Sequence, residues 1–193
     1  MRLVDFARFG TAAALAIVLA PSAEAASIIK DPNPPKYKVE IEPHLNVQYF
    51  YADTFGGHGF GPGIRFSIPI MSPGFVKKIN DSVAISFGGD FLYLRPYDRR
   101  YCDRNGCYDY GGKGWWGFYS PVALQWNFFL TRKWSVFAEL GGIVHSDGFF
   151  ARSVWIDPTV FLGGRFHFND KVALTMRAGS PWVSVGVSFF VGG

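Results

Sequence analysis

"KYKVEIEPHLNVQYFY", residues 36–51, alternates between apolar and polar side chains along almost its whole length. One parity is apolar, from Tyr37 to Tyr51, and the other is charged or polar, from Lys36 to Gln48. Successive side chains of a β-strand point to opposite faces, so this stretch predicts a strand with one apolar and one charged face. Which of the two faces is enclosed decides what kind of protein this is.

The same alternation returns in seven further segments, and none of them has a helical period. They are residues 60–70, 82–94, 115–130, 134–145, 154–168, 171–177 and 182–191. Eight strands form an even number, and about ten residues are enough for a tilted strand to cross a bilayer. The pattern predicts an all-β fold, an eight-stranded antiparallel up-and-down barrel.

The first 25 residues differ from the rest of the chain. A short basic start is followed by a small, apolar run from Gly10 to Ala20 and by an A-x-A site that ends at Ala25. This predicts a secretory signal peptide over residues 1–25, cleaved after Ala25. Residues 26–35 are rich in proline and predict an extended periplasmic tether, and residues 36–193 form the predicted barrel.

The net charge of +4 gives little support for a nucleic-acid partner, because Lys and Arg are scattered through the chain. No cofactor is expected either.

Alternation alone fits both a soluble, lipocalin-like barrel and a transmembrane barrel, because the two differ only in which face is wet. Three features favour the transmembrane barrel. The apolar faces carry no charged residue, the opposite faces are mostly small or polar, and aromatic residues cluster at strand ends. These aromatic residues are Tyr49, Tyr51, Tyr93, Trp115, Trp116, Trp134, Phe168, Trp182 and Phe189.

In this pattern, residues 36–191 resemble the small eight-stranded outer-membrane barrels of Gram-negative bacteria, the class of OmpX, OmpW and the OmpA transmembrane domain. The resemblance implies a location in the outer membrane of a Gram-negative bacterium, after Sec export. It also implies contact with outer-membrane lipid or lipopolysaccharide, and it leaves a protein partner at the extracellular loops possible.

An enclosed polar face would hold several charged side chains, and unpaired charges are costly in a confined space, so we expect them to pair across the lumen. The expected result is a plugged barrel, and the alternative is a narrow channel or a gate in which histidines titrate. The enclosed residues are expected to be Lys38, Glu40, Glu42, His44, Arg65, Asp90, Glu139, Asp157, Arg165, His167 and Arg177.

The longest connection, after the third strand, holds Cys102 and Cys107. An exported protein crosses an oxidising compartment, so a local disulfide is expected there. The motif "HSDG" at residues 145–148 resembles a catalytic cluster only superficially, because neighbours on an extended chain point to opposite sides.

Three functions follow in order of preference. The first is a non-enzymatic barrel that acts as a structural or surface-interaction protein through its extracellular loops. The second is a small channel for small or hydrophobic molecules. The third is an outer-leaflet lipid-modifying enzyme, for which the sequence offers no catalytic residues.

Overall fold

A computed structural model describes residues 26–48, 58–95, 99–103, 106–110, 114–146 and 154–193, with the backbone alone described for 99–103, 106–110, Ser146 and Val154. The predicted cleavage site at Ala25 lies outside the described residues, as do Tyr49 and Tyr51. No helix in the described ranges is long and apolar enough to cross a membrane.

Eight strands close into one antiparallel barrel, in which each strand pairs with its neighbours along the chain and the first pairs with the last. This confirms the prediction of an all-β fold, a closed barrel of eight antiparallel strands. The barrel strands are β1 (Val39–Gln48), β2 (His58–Met71), β3 (Asp81–Arg95), β6 (Trp115–Phe129), β7 (Trp134–Ser146), β8 (Val154–Asn169), β9 (Val172–Ser180) and β10 (Val183–Val191).

The long connection between β3 and β6 contains structure that the sequence pattern did not predict. Two short strands, β4 (Arg99–Asp103) and β5 (Gly106–Tyr110), pair into a separate two-stranded sheet. Cys102 on β4 and Cys107 on β5 are directly opposed partners in this hairpin.

The two ends of the barrel differ in their connections. The basal end, as we call it, carries the start of β1, the end of β10 and the β2–β3, β6–β7 and β8–β9 connections. The apical end carries the other four connections, including the hairpin of β4 and β5. The β6–β7 and β8–β9 connections are only a few residues long.

The proline-rich segment before β1 packs against the basal end of the barrel. Ser27 forms a β-bridge with Thr131 in the β6–β7 turn, and the Ile28 amide donates to the Leu130 carbonyl at 2.9 Å. Eleven residues after Ser27, the Lys38 amide donates to Val191 at the end of β10. Between these contacts, the Asn80 amide before β3 donates to the Ile29 carbonyl at 2.7 Å, so the segment passes the start of β3 on its way to β1.

The inward faces of the strands are mostly polar and buried, whereas the outward faces are apolar and exposed. The outward apolar belt includes Leu140 and Leu162, which are 70% and 65% exposed at mid-height of β7 and β8. Buried inward side chains include Glu40, Arg65 and Gln125, each 1% exposed or less. The soluble arrangement, an apolar interior beneath a polar surface, is reversed over most of this barrel.

Three residues lie elsewhere than the sequence pattern predicted, and one of them is Trp115, which packs partly buried against an apolar cluster inside the barrel. Lys38 is exposed at the basal rim, because β1 begins only at Val39 and the lysine lies outside the barrel. Trp182 was assigned to the outward aromatic residues, but it is 0% exposed and lies inside the barrel. Trp182 lies in the short β9–β10 connection, outside both strands. The alternation of the strands therefore does not predict whether its side chain points inward or outward.

Candidate functional site in the barrel interior

The most basal ion pair of the interior joins Arg165 on β8 to Glu40 on β1. The guanidinium donates through Nε and Nη2 to the two carboxylate oxygens, both at 2.8 Å, which is the bidentate geometry of a strong pair. Its Nη1 donates to the Asn127 side-chain oxygen at 2.9 Å, and Ser188 donates to Glu40 at 2.6 Å. Both ions are therefore hydrogen-bonded as well as paired, as buried charges require.

A second arginine spans the bore at mid-height. Arg177 on β9 donates to both oxygens of Glu42 on β1, at 2.7 and 2.9 Å. It also donates to both oxygens of Glu139 on β7, at 3.0 and 3.3 Å. Since β1 and β7 lie four strands apart in a ring of eight, this one guanidinium connects opposite walls of the barrel.

Arg65 on β2 extends the same layer toward β3. Its Nη2 donates to Asp90 at 3.4 Å, and its Nη1 lies 3.6 Å from Glu139, so Glu139 is shared between two arginines. The Arg65 Nε has no hydrogen-bond partner among the described residues. Arg65 is thus held more loosely than Arg177, whose donors all face oxygens.

An inward aromatic ring fills the space between two of the arginines. The guanidinium carbons of Arg165 and Arg177 lie 4.2 and 5.1 Å from the centre of the Phe137 ring, a cation–π arrangement. The ring covers Gly163, its cross-strand partner on β8, where a Cβ atom would lie 2.0 Å from the ring. Glycine at 163 therefore makes room for Phe137, and Phe137 separates the two cations.

A histidine and an aspartate meet over a glycine on three adjacent strands. His44 on β1 and Asp90 on β3 are both register partners of Gly63 on β2, and His44 Nε2 lies 2.6 Å from Asp90 Oδ1. A Cβ atom at Gly63 would lie 1.9 Å from that oxygen, so only glycine permits this contact. Asn46 also donates to Asp90, at 2.8 Å.

The His44 contacts balance the charge of the layer. Nδ1 lies 3.1 Å from the Glu42 carbonyl oxygen, which can only accept, so Nδ1 carries hydrogen. The contact between Nε2 and Asp90 needs one further proton, held by the ring or by the carboxyl group. With that proton the network is neutral, because it otherwise combines three guanidiniums with the carboxylates of Glu40, Glu42, Asp90 and Glu139.

Two predicted members of the charge network lie apart from this layer. Asp157 lies near the apical end, where its Oδ2 is 2.5 Å from His145 Nε2. The His145 ring stacks between Tyr119 and Trp155, with ring centres 5.5 and 5.7 Å away. His167 lies near the basal end, where its Nε2 is 2.9 Å from the Ser135 hydroxyl.

The apical part of the interior is apolar, which sequence reasoning missed. A buried cluster fills the bore above the charged layer, and it consists of Leu92, Leu94, Tyr119, Ile143, Phe161 and Trp182. Leu92 and Leu94 share the inward parity of Asp90, and Phe161 shares that of Thr159 and Gly163. This shared parity was the signal in the sequence that could have revealed the cluster, because apolar residues on an otherwise polar inward face indicate an apolar part of the interior.

Three groups of contacts follow one another along the barrel axis. From the basal end upward they are the contacts of the N-terminal segment, the ion-paired layers and the apolar cluster. No group of three or more His, Cys, Asp or Glu side chains among the described residues is arranged to hold a metal ion.

No protein-family model matches the chain, and no curated protein matches it either.

Proposed function

We propose that the chain is an integral outer-membrane β-barrel with a plugged interior, which acts as a structural or surface-interaction protein through its apical connections. The observation that carries this proposal is the distribution of side chains, with an exposed apolar belt outside and buried ion pairs inside. Water-soluble monomers rarely expose a contiguous apolar patch beyond a few hundred Å². A belt that encircles a barrel is instead suited to contact with hydrocarbon.

The ends of the barrel support an orientation. The segment that follows the proposed signal peptide lies at the basal end, so this end would face the periplasm. The apical end would then face the cell exterior with the longest connection, which carries the hairpin of β4 and β5. Short periplasmic turns and longer outer loops are usual in such barrels.

The proposal is tested by refolding residues 26–193 in detergent and running the sample on a gel with and without boiling. A closed membrane barrel resists the gel detergent until it is heated, so we expect two different apparent masses. A chain that stays monomeric in buffer without surfactant, and that migrates identically in both lanes, would contradict the proposal and favour a periplasmic carrier.

We expect the refolded protein to give no stable conductance in planar bilayers. Arg177 connects opposite walls of the bore and the apolar cluster lies above it, an arrangement that supports a bore closed to ions. The measurement is single-channel recording at increasing protein concentration. Steady open levels of the wild type would favour the second function, a small channel.

We expect Cys102 and Cys107 to form a disulfide in the exported protein. Directly opposed residues of an antiparallel pair have Cα atoms about 4.5–5.5 Å apart, within the range that a disulfide spans. Mass spectrometry after maleimide labelling should therefore find no modified thiol until a reductant is added. Labelling of both thiols in unreduced protein from the cell envelope would contradict this expectation.

A further inference from the structure

The basal end concentrates positive charge that the sequence distributes over distant segments. Among the described residues, eight basic residues there are exposed, against two exposed acidic residues, Asp31 and Asp170. The whole chain has a net charge of only +4, so this end is more positive than the protein as a whole. The basic residues are Lys30, Lys36, Lys38, Lys77, Lys78, Arg132, Lys133 and Lys171.

The β2–β3 connection holds two of these cations in a fixed turn. The Asp81 carboxylate accepts from the amides of Gly74 and Val76 at 3.1 and 3.2 Å, and from Trp126 Nε1 at 2.9 Å. Phe75 packs edge-on against Trp126, with ring centres 5.4 Å apart, and stays 53% exposed. Lys77 and Lys78 follow directly, so an outward aromatic pair and two ammonium groups share one anchored turn.

The β6–β7 turn repeats this arrangement. The Thr131 hydroxyl oxygen accepts from the amides of Lys133 and Trp134, at 3.2 and 3.0 Å. Trp134 packs against Phe166 on β8, with ring centres 5.0 Å apart. A capping side chain, exposed cations and an aromatic residue at the edge of the belt again occur together.

The β8–β9 turn repeats it a third time. The Asn169 side-chain oxygen accepts from the amides of Lys171 and Val172, at 2.8 and 3.0 Å. Phe168 directly precedes this turn and is 61% exposed. Every basal turn of the barrel therefore places a cation just beyond an aromatic residue of the belt.

On the premise of the proposed membrane location, we infer that the basal cations form a ring that binds the anionic phosphate headgroups of the adjoining phospholipid leaflet. Lys36 and Lys38 add cations at the β1–β10 junction, so the ring extends around the circumference. A protein partner would dock on one side of the rim, whereas lipid headgroups surround it. Aromatic rings at headgroup depth and basic residues just beyond them suit an anionic leaflet.

A crevice at the same rim offers a more enclosed position for one lipid. It has a volume of about 250 Å³. Its lining includes Lys36 and Tyr37 from the segment before β1, and Ile70 and Met71 from the end of β2. Ile70 and Met71 are exposed on the belt, so the crevice combines a cation with apolar surface. That combination fits a phosphate headgroup and the first part of its acyl chains.

The test uses electron paramagnetic resonance of spin-labelled lipids around the refolded protein in phosphatidylcholine bilayers. The motionally restricted fraction gives the association of labelled phosphatidylglycerol relative to labelled phosphatidylcholine. A basic residue near an anionic surface contributes about fivefold in association, so we expect a wild-type ratio of about 5 at low salt. Replacing the basic residues of the three basal turns should lower the ratio well below the wild-type value, while Lys30, Lys36 and Lys38 should keep it above 1. The substitutions are Lys77→Gln, Lys78→Gln, Arg132→Gln, Lys133→Gln and Lys171→Gln.

The matched control changes the same five positions but keeps their positive charge. Each of the four lysines is replaced by arginine, and Arg132 is replaced by lysine. It should retain the wild-type ratio, and 0.5 M salt should lower that ratio because the contacts are exposed. Heat-dependent gel migration is measured on every sample. If both proteins migrate normally and the wild type and the glutamine variant have equal ratios, this inference is wrong and the membrane barrel is unaffected. If the wild type does not insert into bilayers, both the inference and the proposed membrane location are wrong.

Discussion

Replacing Arg177 by methionine is expected to lower the free energy of unfolding by about 3–5 kcal/mol. The guanidinium is fully enclosed and donates to both oxygens of Glu42 and of Glu139. Methionine keeps much of the length of the side chain but leaves buried Glu42 without its arginine, and Glu139 with only the looser contact to Arg65 at 3.6 Å. The measurement is equilibrium urea unfolding of the refolded barrel in lipid vesicles, followed by tryptophan fluorescence.

Two further variants separate the loss of the ion pair from a general effect of substitution. Arg132→Met removes an exposed arginine of the β6–β7 turn and should change the free energy of unfolding by less than about 0.5 kcal/mol. Combining Arg177→Met with Glu42→Gln and Glu139→Gln removes the stranded charges and should recover part of the loss. If Arg177→Met alone unfolds within 1 kcal/mol of the wild type, the proposed cross-bore pairing is wrong.

Replacing Leu140 by arginine is expected to lower the free energy of unfolding by about 2–4 kcal/mol in a bilayer. Leu140 lies at mid-height of β7 and is 70% exposed, so the proposal places it against the middle of the hydrocarbon. The guanidinium would have to leave water, and the described part of the outward belt offers it no acidic side chain to pair with. Unfolding in lipid vesicles measures this cost.

Val191→Arg is the matched control, because Val191 ends β10 at the basal rim and is also exposed. A basic residue near the interface costs about 0–1 kcal/mol, so the two substitutions should differ clearly. In a water-soluble barrel both positions would face solvent, and both variants should then unfold close to the wild type. Equal, small effects at both positions would therefore contradict the membrane location.

The barrel could be predicted from the sequence because a closed sheet makes alternation visible in every strand. Residues 36–51 show it most clearly, and β1 follows it from Val39 to Gln48. The hairpin of β4 and β5 was missed because two five-residue strands with no apolar face carry too little pattern. Trp182 was misplaced because a residue between strands has no parity to read.

The contacts of the interior could not be predicted because alternation gives the face of a residue and not its partner. Glu40 and Arg165 are 125 positions apart, and their pairing depends on how the ring of strands closes. The contact of His44 with Asp90 over Gly63 depends on the register of three strands. The basal cations appear scattered in the sequence for the same reason, since only the topology brings their turns to one end.

The most direct test of the inside-out arrangement is the environment of a nitroxide spin label at position 140. The label is attached to Leu140→Cys in a chain that also carries Cys102→Ser and Cys107→Ser, refolded into lipid vesicles. We expect collisions with oxygen, which concentrates in hydrocarbon, to exceed those with a water-soluble nickel chelate. A label that collides more often with the nickel chelate than with oxygen would show that this face meets water, and would contradict the membrane barrel.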